Sequence, residues 1–323
     1  MPNHTEHYQL HQWEPGDPFL RTDFNEDLAK IDGALGRLDQ RGIDTAYQLY
    51  ELLLQRDYEG KYTGFKRALF FDGFRNADLI QSREGFPLTP TGAALGRTTQ
   101  SDYPLGYGSA YAKDLFSLNL AFTGCGVVTG LRFQMQTTSA VKGDVDVNLY
   151  FTTGGFTWSS TKAFAAPSGG GLREYTFPIP ETPVAKGSTF LFRVYATVDN
   201  VKFRSAASST HLGGTVLVTP KAMPAGTLIS APAALPAGRS AMAWVRHSGG
   251  SVGLALRSNG ADHPMTAGEA APSVELRNKT ACTEQTFRLD GPLAAGDWQA
   301  VLTGALGEDE DGMTVYDYGV IVL

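Results

Sequence analysis

A mainly β chain, in which a short N-terminal helical, coiled-coil-like segment precedes two β-sandwich domains of jelly-roll or lectin-like type, is the fold class this sequence predicts. Three observations carry that expectation. Turn formers are plentiful, with 37 Gly and 17 Pro among 323 residues, while charged residues stand at 19%, below the roughly 25% of an average soluble protein. Apolar residues at 42% and aromatics at 11% are too many for a disordered chain, and the Ala/Glu/Lys/Leu bias of a long helical protein is missing. From about residue 66 onward, short apolar runs alternate with Gly, Pro and Ser clusters, the spacing of a sandwich or barrel.

Charge divides the chain. Residues 1–60 hold 12 acidic and 5 basic side chains, whereas the remainder holds 21 and 22, so the overall net charge of -6 belongs to the N-terminus. Residues 1–64 are therefore read as a separate attachment and stem segment. Within it Phe24, Leu28, Ile31, Leu35 and Leu38 recur at spacings of 4, 3, 4 and 3, the stripe of an amphipathic helix or the seam of a coiled coil. Asp23 and Glu26 resemble a capping box at its start. Gly42 interrupts the run, and a second helical stretch carrying Leu49, Leu52 and Leu53 reaches Gly60, so two short helices or one kinked helix are expected. Leu28 and Leu35 fall at heptad a positions and Phe24, Ile31 and Leu38 at d, and Leu at a with Ile at d disfavours a two-stranded coil. Packing of the same stripe on the chain's own body is the competing reading.

The first sandwich is placed at 65–208 and the second at 209–323, divided at the stretch SAASSTHLGG, which is poor in large apolar residues. In the first, Val145, Val147 and Leu149 should face inward and Asp144, Asp146 and Asn148 outward, with Phe192, Val194, Ala196 and Val198 opposing Leu191, Arg193, Tyr195 and Thr197. In the second, Ser258-Asn259-Gly260 reads as a tight turn, and the chain ends in a strand, MTVYDYGVIVL.

Several functions are disfavoured by the residues present. A net charge of -6 opposes phosphate recognition, so no nucleic acid is expected. No run reaches the roughly 18 apolar residues of a membrane span, and the first residues lack the pattern of a secretory signal. Cys125 and Cys282 read as two buried free thiols, with no zinc pattern. His4, His7 and His11 lack a helical context that would make them metal ligands, and no nucleophile turn accompanies His211, His247 or His263. The acidic loop 307–312 fails the ligand positions of a calcium loop, and Gly169-Gly170-Gly171 lacks the Lys-Ser/Thr of a phosphate loop. No metal, cofactor or catalytic residue is expected. Trp244 and Trp298 read as core. Trp158, in a turn-rich stretch beside Gly154 and Gly155, is the candidate stacking platform for a glycan.

The segment Tyr8-Gln9-Leu10-His11-Gln12-Trp13-Glu14-Pro15-Gly16-Asp17, continued by Leu20-Arg21-Thr22-Asp23-Phe24-Asn25-Glu26-Asp27 and Lys30-Ile31-Asp32, resembles the N-terminus of tail fibre or receptor-binding proteins from phages and prophages of Gram-positive gut bacteria. Residues 52–74 resemble the passage from stem to first β domain in the same group, so the likeness covers about the first 75 residues. It implies that residues 8–19 dock on the tail or baseplate, with Trp13 as anchor beside Leu10, Pro15 and Leu20, and that the stripe is the stem of a homotrimer. It further implies a non-enzymatic virion or tail-like-particle protein that presents its sandwiches to a host cell-surface glycan. A baseplate, collar or adaptor protein without glycan binding, or a glycan-degrading enzyme, are the alternatives.

Overall fold

The computed structural model describes residues 3–58, 69–117, 119–153, 156–167, 170–207, 210–275 and 277–323, with the side chains at 50, 51, 53–58 and 69 left aside. The protein is mainly β, with one N-terminal helix and four large sheets packed in pairs as two sandwiches. Each pair encloses its own core.

One sandwich is built from 103–220. Its five-stranded sheet has Asp144–Thr153 and Thr189–Ala196 at the centre, Phe156–Ala165 along one edge, and Leu120–Ala121 and Asp114–Phe116 along the other. Its six-stranded sheet is organised around the long strand Gly126–Thr137, which pairs with Gly171–Val184 and Gly214–Pro220. The period-two alternation holds: Val145, Val147, Leu149 and Phe151 oppose Phe133, Phe177 and Phe203 in a core whose members are almost fully buried. Burying each such side chain contributes about 1.5–3 kcal/mol. Val198 departs from the expected row and is exposed, because Thr189–Ala196 ends before it.

The other sandwich is discontinuous in sequence. Leu69–Asp72 and Gly92–Gly96 pair with the C-terminal strand Gly312–Val322, and Ile80–Glu84 pairs with Ala225–Ser230. Phe70, Phe86 and Leu95 consequently share a core with Trp298, Leu302 and Tyr318. The division at 208/209 is thereby corrected: 103–220 is an insertion into a sandwich made of 69–96 and 225–322. The described residues 205–207 and 210–213 of SAASSTHLGG lie inside the inserted sandwich, between Val201–Arg204 and Gly214–Pro220; a polar, turn-rich sequence looks the same whether it joins strands or domains. At the neck the chain enters and leaves side by side, with reciprocal Gly96–Met223 backbone hydrogen bonds of 3.0 and 2.8 Å, beside a small cluster of Ala94, Cys125, Ala185 and Met223.

The N-terminal region holds a single helix, Arg21–Tyr58, rather than two. Gly42 lies inside it with open space where a Cβ would stand. Its cost, about 1 kcal/mol relative to Ala, is offset by packing next door, where Ile43 and Ala46 rest on Phe71, Met242, Trp244 and Ile321 of the seven-stranded sheet. The Tyr47 ring lies tilted against Trp244 with centres 5.6 Å apart, and Arg288 reaches Asp39 at 3.4 Å. Asp23 lies within the first turn instead of capping it, the Leu20 carbonyl accepting from the Phe24 amide at 3.3 Å. Gly60 lies outside the described residues. No helix among them is long and apolar enough to cross a membrane.

Candidate functional site

The outer face of the five-stranded sheet carries a groove of about 470 Å³, within the usual range of small-ligand sites. Strand register builds it. Tyr150 on Asp144–Thr153 stands between Ser159 and Arg193, and Asn148 between Thr161 and Tyr195, while Phe116 and Asp114 extend the two rows on the adjoining strand. These are the outward positions of the alternation, and on the two central strands they are half-buried.

The groove is pre-ordered by charge and ring contacts. Arg193 makes a two-pronged hydrogen bond to Asp114, Nε to Oδ1 at 3.0 Å and Nη2 to Oδ2 at 2.6 Å. These bonds hold the guanidinium above its ordinary pKa. Its Cζ lies 5.0 Å from the Phe116 ring centre and 4.8 Å from that of Tyr195, contacts worth about 0.5–1 kcal/mol each at exposed sites. Thr161 donates to Asn148 Oδ1 at 2.6 Å, which orients the amide.

Trp158 is elsewhere. It belongs to the edge strand Phe156–Ala165, opposite Phe151 on the inward row, half-buried, with its ring edge-on to Phe177 at 6.0 Å. The turn-rich reading of that stretch is corrected: Thr157, Ser159 and Thr161 are outward positions of a strand, while Gly154 and Gly155 lie outside the described residues. Trp244 and Trp298 are core, 2% and 4% exposed. Tyr150, Arg193 and Tyr195 were missed as site residues, although the signal was present, since aromatic and cationic side chains occupy positions that the alternation assigns to solvent.

A second surface runs along the helix. Phe24, Leu28, Ile31, Leu35 and Leu38 are 41–60% exposed, so this stripe does not pack on the chain's own sheets. Because the helix is continuous, the heptad spacing extends through Gly42 and Thr45 to Leu49 and Leu52, which are also exposed. The row spans about 40 Å at 1.5 Å per residue. Exposed apolar surface of this extent is uncommon on a monomeric protein.

At the stripe's N-terminal end the hairpin Asn3–His4 with His11–Gln12 leans on the helix. Buried Asp27 accepts the His11 backbone N–H at 2.9 Å and contacts its Nδ1 at 2.9 Å, and Lys30 donates to the Gln9 carbonyl at 2.7 Å. Burial pushes the Asp27 carboxyl up, but the His11 hydrogen bonds and the nearby Lys30 charge prevail and hold it below its ordinary value. Rings continue from His11 to Trp13 (5.8 Å), Phe19 (5.0 Å) and Phe24 (6.0 Å). Trp13, Pro15 and Leu20 are exposed and Leu10 is half-buried; Pro15 and Gly16, the latter at φ 111°, form a turn closed by Asp17 N to Glu14 O at 3.0 Å.

Among the described residues no group of three or more His, Cys, Asp and Glu side chains is placed to hold a metal ion. The acidic loop is organised by Glu310, whose carboxylate accepts from the amides of Gly307 and Gly250, both at 2.7 Å. Those two bonds hold its pKa low. Cys125 and Cys282 are buried free thiols.

No protein-family model matches the chain, and no curated protein does. Among solved structures it is similar at 10% identity to dimeric latent PorU from Porphyromonas gingivalis (73% of this chain, 23% of that one, TM-score 0.23). It is similar at 8% identity to the N-terminal CBM22-1-CBM22-2 tandem domain of Xyn10C from Paenibacillus barcinonensis (72% and 100%, TM-score 0.21). A third likeness, at 10% identity, is to the infectious bursal disease virus T13 particle (80% and 39%, TM-score 0.16). The chain spans less than a quarter of the first of these. At such scores none of them bears on function.

Proposed function

We propose that this protein is a homotrimeric component of a virion or phage-tail-like particle, of the tail fibre or receptor-binding class, which presents its sandwiches to host cell-surface glycans. The uncovered heptad stripe from Phe24 to Leu52 carries the reading. Leu at a and Ile at d suit three strands better than two, and three copies multiply weak contacts without adding any new one. The N-terminal resemblance supplies the other partner, a tail or baseplate protein taking Trp13, Leu10, Pro15 and Leu20.

Sedimentation equilibrium of the whole chain at micromolar concentration tests the assembly. A trimer that falls to monomer in the double variant Leu28→Asp/Leu35→Asp, with the sandwiches still folded, is expected. A monomeric parent chain overturns it.

A further inference from the structure

The groove on the five-stranded sheet is a second recognition surface, independent of the helix, and its chemistry narrows what it can take. Its ligand-facing atoms lie on a sheet face, not an edge. The backbone N–H and C=O groups beneath are engaged in strand ladders on both sides of the two central strands, so an extended peptide cannot add itself as a further strand there. What remains are ring faces and side-chain donors and acceptors.

Charge narrows the choice again. Among the described residues Arg193 is the one charged side chain lining the groove, and its Nε and Nη2 already hold Asp114, at the groove's margin, at 3.0 and 2.6 Å. An anionic ligand would have to compete with a carboxylate that is already seated. The paired guanidinium and carboxylate instead offer fixed donors and acceptors of balanced charge, matched to hydroxyl groups that both donate and accept. Tyr150 and Tyr195 flank the pair from neighbouring strands, and among the described residues neither phenol is engaged in a hydrogen bond. Ring face beside planar polar groups suits a molecule with an apolar C–H face and a rim of hydroxyls.

We propose that this groove binds a neutral pyranose unit of a surface glycan, its C–H face laid on Tyr150 and its hydroxyls held by the Arg193–Asp114 pair and Asn148. The inference rests on the reading of the protein as a glycan-presenting particle component and adds to it the site and the class of sugar. Because the arginine is already clamped between Phe116 and Tyr195, little side-chain freedom is lost on binding.

The test is a glycan array probed with the full chain, carrying neutral hexose and N-acetylhexosamine oligosaccharides beside sialylated and phosphorylated ones, followed by calorimetry on the best neutral probe. Neutral glycans should bind, Tyr150→Ala and Asp114→Ala should each weaken binding at least about tenfold, as removal of a central contact does, and Tyr150→Phe, which keeps the ring face, should hold it. Thermal midpoints confirm that the variants are folded. Neutral-glycan binding that survives both alanine variants overturns the groove while leaving glycan presentation standing, and preference for acidic glycans overturns the class of sugar. Silence of the parent chain on the array and on host cells overturns glycan presentation and the groove together.

Discussion

Two outer sheet faces of this molecule are made by the same alternation and end in opposite conditions. On the seven-stranded sheet of the split sandwich, the outward residues Met242, Trp244 and Ile321 are buried because the helix lies across them. On the five-stranded sheet of the inserted sandwich, the outward residues Tyr150, Arg193 and Tyr195 stay half-exposed and line a groove. A bulky aromatic at an outward strand position therefore has two meanings, a seat for another element or a contact for a ligand. The flanking residues do not separate them, since Trp244 has Arg246 two positions on along the same face just as Tyr195 has Arg193; the helix seated over Trp244 does.

The largest effect expected from this contrast is on stability. Trp244→Ala should cost about 3–5 kcal/mol, the usual loss for a buried Trp, whereas Tyr150→Ala on the open face should stay within about 0.5 kcal/mol; chemical denaturation of the two variants compares them directly. Equal costs would mean that the groove residues also bear structure. Next is Arg246→Ala. Arg246 pairs with Asp317 at 2.8 Å with both side chains over nine-tenths buried, and removing one partner of such a pair costs about 3–5 kcal/mol, placing it beside Trp244 or somewhat below. The exposed Arg193–Asp114 pair should contribute about 0–1 kcal/mol, so Asp114→Ala should leave the denaturation midpoint almost unmoved.

The smallest effect is a pH dependence along the helix. Its central part is docked by apolar contacts, but the hairpin is held at Asp27. Asp27 is depressed in the folded protein, so its contribution is complete above its ordinary value of 3.8 and is lost as pH falls through the lower folded value. Amide exchange at His11 should accelerate over that acid range, while exchange beneath Trp244 should not change, and Asp27→Asn should abolish the pH dependence.

Much of the fold was legible in local pattern. The inward rows Val145, Val147, Leu149 and Phe192, Val194, Ala196 were readable because one buried face leaves a period of two, and the Asn259-Gly260 turn, at φ 48° and 78°, because few residues other than Asn and Gly adopt that conformation. The helix was legible as a stripe, but Gly42 hid its continuity: propensity disfavours glycine there, and the compensating contacts of Ile43 and Ala46 come from strands elsewhere in the chain, those of Phe71, Met242, Trp244 and Ile321. Trp158 was misplaced because Ser and Thr on the solvent side of an edge strand have the composition of a loop. The groove residues stood at visible outward positions, yet nothing along the chain brings Asp114 to Arg193.

By itself the sequence determined the mainly β class, the acidic helical N-terminus with its heptad stripe, and which side of each strand faces a core, since all three follow from residue type and short-range spacing. The tertiary structure alone decided that 103–220 is inserted into a split sandwich, that the stripe is left uncovered while the neighbouring helix face is docked, and that Tyr150, Arg193 and Tyr195 converge in one groove with Asp114 bonded to the arginine beside it. Those outcomes depend on pairing between residues far apart in the chain. Local hydrophobic period fixes which face a residue takes, but strand partners are chosen by the packing of the whole molecule.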